Sequence, residues 1–117
     1  MSRIAIVGSR DFPDLDMVRR YVARLPQDTV IVSGGAPGPD TVAENMADKL
    51  FLSKSIHKAD WTRNGRAAGP IRNALVIEDC EALVAFWDGV SPGTLDIIRK
   101  AVKSGKPVRI FGPMRKT

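Results

Sequence analysis

The chain has 117 residues, 44% of them hydrophobic and 26% charged, enough for one domain with a real core and too few for a separate catalytic lobe. Its 18 Lys and Arg against 13 Asp and Glu leave a formal charge of +5, which favours anionic partners. Because the basic residues are scattered (Arg19, Arg20, Lys49, Lys54, Arg99, Lys103), a solvated basic surface ranks ahead of a dedicated nucleic-acid face. The single cysteine, Cys80, excludes an internal disulfide framework, and no zinc-ligand spacing is present. No apolar run approaches the ~20 residues that span a bilayer, and Ser2 and Arg3 run into a short strand rather than a leader, so a cytoplasmic protein without a membrane partner is expected.

In chain order, Ile4-Ala5-Ile6-Val7 is apolar throughout, as a strand covered on both faces is, and it stops at Gly8. Leu15, Val18, Val22 and Leu25 recur at helical spacing, and Pro26 ends that helix. Val30-Ile31-Val32 makes a second strand that leads into the loop Ser33 to Asp40. Pro39 suits a first helical position and Asp40 a first turn, where a carboxylate meets the positive helix end. Val42, Ala43, Met46, Ala47, Leu50 and Phe51 give the next helix its apolar stripe, and a short third strand is placed around Ser55 to His57. A polar stretch from Ala59 to Gly65 precedes a helix carrying Ala68, Ile71, Leu75 and Val76, after which Cys80 reads as a helix-end or core thiol. Leu83 to Trp87 is a fourth strand. The loop Asp88 to Thr94 then opens a helix with Leu95, Ile98, Ala101 and Val102 facing inward. Gly105 and Pro107 close it, and Val108 to Phe111 make a fifth strand. This alternation predicts an α/β fold: a single Rossmann-like domain over 1–117, with a five-stranded, mostly parallel sheet and helices on both faces. Arg115 to Thr117 read as a polar, flexible tail.

In such a sheet, ligands bind where strands end and helices begin, because helix N-termini present unpaired N–H groups. Three glycine-bearing junctions are expected side by side along that edge. They are Gly8-Ser9-Arg10 after the first strand, Ser33-Gly34-Gly35-Ala36 with Gly38 and Asp40 after the second, and Asp88, Gly89, Ser91, Gly93 and Thr94 after the fourth. Glycine lets backbone amides approach a phosphate, serine and threonine add hydroxyl donors, and the Arg10 guanidinium binds phosphate in a bidentate fork unless Asp11 or Asp14 pairs with it. None of the loops is a dinucleotide fingerprint or a Walker A loop. A fourth segment, Trp61 to Asn73, carries Arg66, Gly69, Arg72 and Asn73: Trp for stacking on a base, Asn for a base or ribose edge, Arg for a phosphate. Acids near this edge are Asp11, Asp40, Asp88 and Asp96; the one histidine, His57, reads as structural, and no cluster suits a metal.

Gly8-Ser9-Arg10-Asp11-Phe12, Gly34 through Thr41, Ala59-Asp60-Trp61, Gly65 through Asn73 and the Gly93-Thr94 turn together resemble the YspA-like branch of the SLOG superfamily. That superfamily also holds the "lonely guy" phosphoribohydrolases and the DprA/Smf DNA-processing proteins. The resemblance implies a Rossmann-like domain that binds a nucleotide or nucleotide-derived phosphate as a sensor or sequestering module, requires no cofactor, and pairs as a homodimer in related chains. Its alternatives are cleavage of the N-glycosidic bond of a nucleoside 5′-monophosphate, with Arg72 and Asp96 as catalytic residues, and DprA-like DNA binding. Two departures bear on this. Pro39 precedes Asp40 in the glycine loop, and Ile97 stands where the phosphoribohydrolases carry their catalytic Glu.

Overall fold

The computed structural model describes residues 2–112; the expected tail at Arg115 to Thr117 lies outside the described residues. Five strands form one sheet: β1 (Arg3–Gly8), β2 (Val30–Ser33), β3 (Ser53–Ile56), β4 (Ala82–Phe86) and β5 (Val108–Phe111). Their order is β3-β2-β1-β4-β5, and every pairing is parallel. The helices are α1 (Leu15–Ala23), α2 (Pro39–Lys49), α3 (Trp61–Asn64), α4 (Ala68–Asp79) and α5 (Pro92–Lys103). Among the described residues, no helix is long and apolar enough to cross a membrane.

Strand alternation sorts the core into two layers. Ile6, Ile31, Val84 and Phe86 face α1 and α2 and pack on Val18, Val22, Ala43 and Ala47. Ala5, Val7, Val32, Leu83 and Ala85 face α4 and α5 and pack on Val76, Ile77, Ile97, Ile98 and Ala101. Both faces of β1, β2 and β4 are therefore covered, which is why those strands read as unbroken apolar runs. Burying each such Val, Ile or Phe contributes about 1.5–3 kcal/mol.

The departures from the expected pattern have local causes. β3 starts two residues earlier than expected, ends one earlier and is polar, because it is an edge strand whose Ser53 and Lys54 meet solvent. In α5 the buried period is Thr94, Ile97, Ile98 and Ala101, so Val102 falls outside the stripe and is 64% exposed. Phe51 leaves the α2 stripe because it sits past the helix end at φ 58, and it too is exposed. Ile71 and Leu75 lie on the outer side of α4. The polar stretch before α4 contains one short helix, α3, started by Asp60, whose carboxylate accepts the Arg63 N–H at 3.0 Å.

One polar cluster ties the second layer together. The Asp79 carboxylate at the end of α4 accepts from Ser55 Oγ at 2.6 Å, from His57 Nε2 at 2.8 Å and from Arg3 Nε at 3.0 Å, so one side chain clamps α4 to β1 and to the β3 segment. His57 is thus structural. Partial burial works against the charge, but the bonds from Ser55, His57 and Arg3 overcome it and hold the Asp79 carboxyl down at about 2. Nearby, Lys106 Nζ donates to the Ile77 and Cys80 carbonyls, closing α4 at the buried thiol. A carboxyl depressed in the fold contributes stability that is present above its unfolded value near 3.8 and lost as pH falls toward 2. Asp79→Asn is therefore expected to cost on the order of 1–2 kcal/mol in urea unfolding at pH 7. That deficit should shrink as the titration is carried below pH 3.8.

Candidate functional site

The winding places the site. From β1 the chain runs outward to β2 and β3, then crosses back to β4 and β5, so the β1 and β4 junctions lead away from each other and leave a crevice at the carboxyl edge. A cleft of about 310 Å³ opens there, lined among others by Gly8, Ser9, Arg10, Gly34, Ala36, Asp40, Trp61, Arg72, Asn73, Ser91, Gly93 and Thr94. Its size falls in the ~300–1,000 Å³ range of small-molecule sites. All three junctions and the Trp61–Asn73 segment thus converge, as the sequence suggests.

Close backbone packing builds the β1 side. A Cβ at Gly8 would lie 2.5 Å from Pro39 Cγ and 2.6 Å from the Phe86 carbonyl, so only glycine lets α2 start against β1. Ser9 is buried; its N–H donates to the Phe86 carbonyl at 2.9 Å, and its Oγ accepts the Asp88 N–H at 3.1 Å and sits 3.4 Å from Thr94 Oγ1. It stitches the first junction to the fourth. Arg10 follows on the rim, exposed and without an acidic partner among the described residues. Asp14 is engaged elsewhere, accepting the Met17 N–H at 3.1 Å and pairing with Arg20 at 3.7 Å.

The β2 junction is closed on itself. Asp40, in the first turn of α2, turns its Oδ2 back to accept the Gly34 N–H at 2.9 Å and lies 3.4 Å from Ser33 Oγ. Ser33 Oγ also donates to Glu44 and accepts the Gly35 N–H at 3.1 Å. Burial pushes the Asp40 carboxyl up to about 7, against the Gly34 N–H and the Arg72 charge, both of which favour ionisation. Gly35 and Gly38 both take positive φ; at Gly38 (φ +93) a Cβ would also lie 2.7 Å from the Arg10 carbonyl. The amide that a glycine loop would aim at a phosphate is therefore already taken by an internal carboxyl.

A polar chain holds the opposite wall. Lys100 Nζ donates to both Asp96 oxygens at 2.7 and 2.6 Å, and Asp96 Oδ2 accepts from Asn73 Nδ2 at 3.0 Å. Asn73 Nδ2 also reaches the Gly93 carbonyl at 3.2 Å, while its Oδ1 accepts from Arg72 Nε at 3.0 Å. Arg72 NH1 then donates to the Gly34 carbonyl at 2.7 Å, and its Cδ fills the space that a Cβ at Gly34 would need. Arg72 and Asn73 thus face the cleft, whereas Asp96 stands behind Asn73, held by Lys100 and outside the lining. Its carboxyl is shifted down; burial resists, and the Lys100 and Asn73 bonds prevail.

In the fourth loop, Asp88 accepts the Val90 and Ser91 N–H groups at 2.9 and 2.8 Å and the Ser91 hydroxyl at 2.6 Å. The Ser91 hydroxyl and these amides hold its carboxyl down at about 2. Gly89 turns the loop at φ 87. Asp88 and Gly89 shape the cleft from outside its lining, and Ser91, occupied by Asp88, leaves the first turn of α5 without a side-chain cap. Nothing lies within 4 Å of where a Cβ at Gly93 would be, so that turn is open to the cleft. Trp61 is 60% exposed on α3 and leans over Gly69, where a Cβ would come within 3.4 Å of its ring. Arg66 lies exposed on the short turn Gly65–Ala67 and does not line the cleft. Sequence reading did not single out Val7, Pro37 or Ile97 as lining residues, nor Glu44 and Lys100 as supports. Only Lys100 carried a signal, its i,i+4 spacing from Asp96. No cluster of three or more His, Cys, Asp or Glu suited to a metal occurs among the described residues.

The chain is 36% identical over 122 aligned positions, 96% of its length and 98% of the other's, to the Gene 61 protein of Mycobacterium phage D29. Its fold matches that of DNA processing protein A (DprA) from Streptococcus pneumoniae with a TM-score of 0.85 at 20% identity, over 97% of this chain. The chain spans 51% of that protein, and the likeness is one of fold: a single DprA-like α/β domain. No protein-family model matches.

Asp40 yields a prediction of opposite sign to that of Asp79. A carboxyl raised in the fold contributes stability that is fully present below its unfolded value of 3.8 and lost as pH rises through about 7. Relative to the parent, Asp40→Asn should gain stability steadily between pH 4 and 7 and level off above. Urea unfolding across that range measures it, and a flat difference would refute a buried neutral Asp40.

Proposed function

The chain belongs to the family of the phage Gene 61 protein, and we propose that it binds a nucleotide or nucleotide-derived phosphate in the carboxyl-edge cleft, as a sensing or sequestering module of the YspA-like SLOG type. One contrast carries this reading. The Gly34 amide in the loop before α2 is taken by Asp40, and that same carboxyl sits in the first turn of α2, whereas α5 begins with an uncapped first turn that carries no acid and is open at Gly93. An anion is favoured where N–H groups and a positive helix end are unanswered. Arg10, on the rim of the same cleft and without an acidic partner among the described residues, supplies the guanidinium that fixes the phosphate, and Arg72 adds positive potential from the far wall. The exposed ring of Trp61 suits a base stacked at the other end of the ligand.

Two competing readings have less support. Glycosidic cleavage needs a carboxylate free to meet the developing oxocarbenium ion; Asp96 is bound by Lys100 and Asn73, and Ile97 lines the cleft in the position of the phosphoribohydrolases' Glu. DNA binding draws on the name of the fold neighbour and on the net charge of +5.

Calorimetric titration with nucleoside 5′-monophosphates and the matching nucleosides tests the proposal. Binding should require the phosphate, and Arg10→Ala should weaken it at least tenfold, about 1.4 kcal/mol. Gly93→Asp, which places a carboxylate at the open turn, should abolish it. Equal affinity for nucleosides, or no binding by any nucleotide, refutes the reading. Free base accumulating with time transfers the site to the hydrolase, and displacement of the nucleotide by oligonucleotides with a steep salt dependence transfers it to DNA.

A further inference from the structure

A second cleft, of about 450 Å³, lies away from the first, between α1 and the β4–β5 side of the sheet. Among the described residues, no helix other than α1 faces β5 on this side. Its floor is aromatic: Phe86 is fully buried, Phe111 stacks on it at 5.2 Å, and Tyr21 meets both rings edge-on. Guanidinium groups form its walls: Arg20 on α1, Arg24 capping the end of α1 four residues on, and Arg109 on β5. Among the described residues, the one acidic contact in this set is Arg20 with Asp14, at 3.7 Å and largely exposed. Among the described residues Arg24 has no acidic partner, and Arg109 lies over the Phe111 ring at 5.5 Å.

From this arrangement we propose that the cleft docks an acidic, extended segment of a partner protein that inserts one apolar side chain between the arginines. Three observations select that occupant. The arginines call for carboxylates, which they hold in bidentate pairs of high geometric specificity. The free edge of β5 accepts a strand: the Pro107 and Phe111 carbonyls are taken by Leu83 and Trp87 of the β4 side, so alternation turns the backbone groups of Val108 and Ile110 outward. The floor then receives the anchor side chain that such a strand projects on its α1 face.

The other candidate occupants fit less well. A second copy seated symmetrically would bring each set of arginines against its like. A single nucleic-acid strand needs open ring faces for its bases, but Phe86 is buried and Phe111 already carries Phe86 and Arg109. The chain's own last residues include Arg115 and Lys116, of the wrong sign for this cleft.

The test uses the whole chain and a short fluorescein-labelled peptide of Asp and Glu around a central Phe, followed by anisotropy. Three companion probes are the peptide with Gly for Phe, the peptide with Lys for every acid, and labelled oligothymidylate. The acidic Phe peptide should bind best, at least tenfold better than its Gly version, with affinity falling as salt rises. Arg24→Glu with Arg109→Glu should abolish that binding and create binding of the Lys peptide, which shows that the doubly replaced protein is folded. Arg10→Ala, in the first cleft, should leave peptide binding unchanged. The proposal is overturned if the Gly peptide binds as well, if the double replacement binds neither peptide, or if oligothymidylate is preferred. It is likewise overturned if sedimentation shows self-association that the double replacement removes.

Discussion

The reversal of strand order beside β1 is the constraint from which the rest follows. Parallel strands must be joined by crossovers of fixed hand, so a chain that winds first through β2 and β3 and then through β4 and β5 covers one face with α1 and α2 and the other with α4 and α5. The two halves diverge at the carboxyl ends of β1 and β4, and no crossover fills the gap between them. The cleft is therefore a product of topology before any side chain is considered. What the side chains decide is whether backbones can approach closely enough to keep it small. Gly8 answers that at the centre, since a single methyl there would collide with Pro39 and with the Phe86 carbonyl.

Within the cleft, two devices use buried polarity in opposite senses. The chain Lys100–Asp96–Asn73–Arg72–Gly34 satisfies each charge with the next group, and a partly buried network of this kind is favourable when every member is paired. It fixes α4 and α5 to the β2 loop and leaves Arg72 facing the cleft in one pose. Asp40 has no such lateral partner. It meets one amide and one distant hydroxyl, lies beside Glu44, and is pushed by its burial up to about 7, which leaves much of it protonated near neutral pH. A neutral carboxyl can occupy an amide without opposing an anion nearby, whereas an ionised one in the same place would repel a phosphate across the cleft.

Much of this was legible in the sequence because the relevant signals are local. Unbroken apolar runs marked β1, β2 and β4; glycine junctions marked the edge; and Pro39, Gly105 and Pro107 marked helix ends. The fold and the convergence of the junctions follow from those alone. Less legible was anything that depends on how elements face each other. Val102 belongs to a plausible helical stripe, yet Thr94, Ile97, Ile98 and Ala101 are the residues turned inward, because the sheet selects among equivalent faces. Asp40 reads as an ordinary first-turn charge; only the tertiary position of Gly34 makes it a buried plug. Asp96 sits in a motif suggestive of chemistry, and Lys100, four residues on, is what engages it. Spacing revealed that such a pair can form but not that Asn73 would stand between it and the cleft.

The same winding accounts for the uneven use of positive charge. A sheet built from two outward windings must have two edges, and here they differ. β3 carries Ser53 and Lys54 on its exposed positions, which discourages addition of another strand. β5 carries Val108, Ile110 and Phe111 and ends the described fold without a helix covering its α1 side. An apolar edge left in that state invites indiscriminate pairing unless something discriminates among partners. Arginines on both sides of the groove do so by repelling copies of the same chain while attracting acidic segments. Read this way, the net charge of +5 is not a uniform coat. Part of it, in Arg10 and Arg72, sets the potential of the carboxyl-edge cleft, and another part, in Arg20, Arg24 and Arg109, guards the more apolar of the two edges.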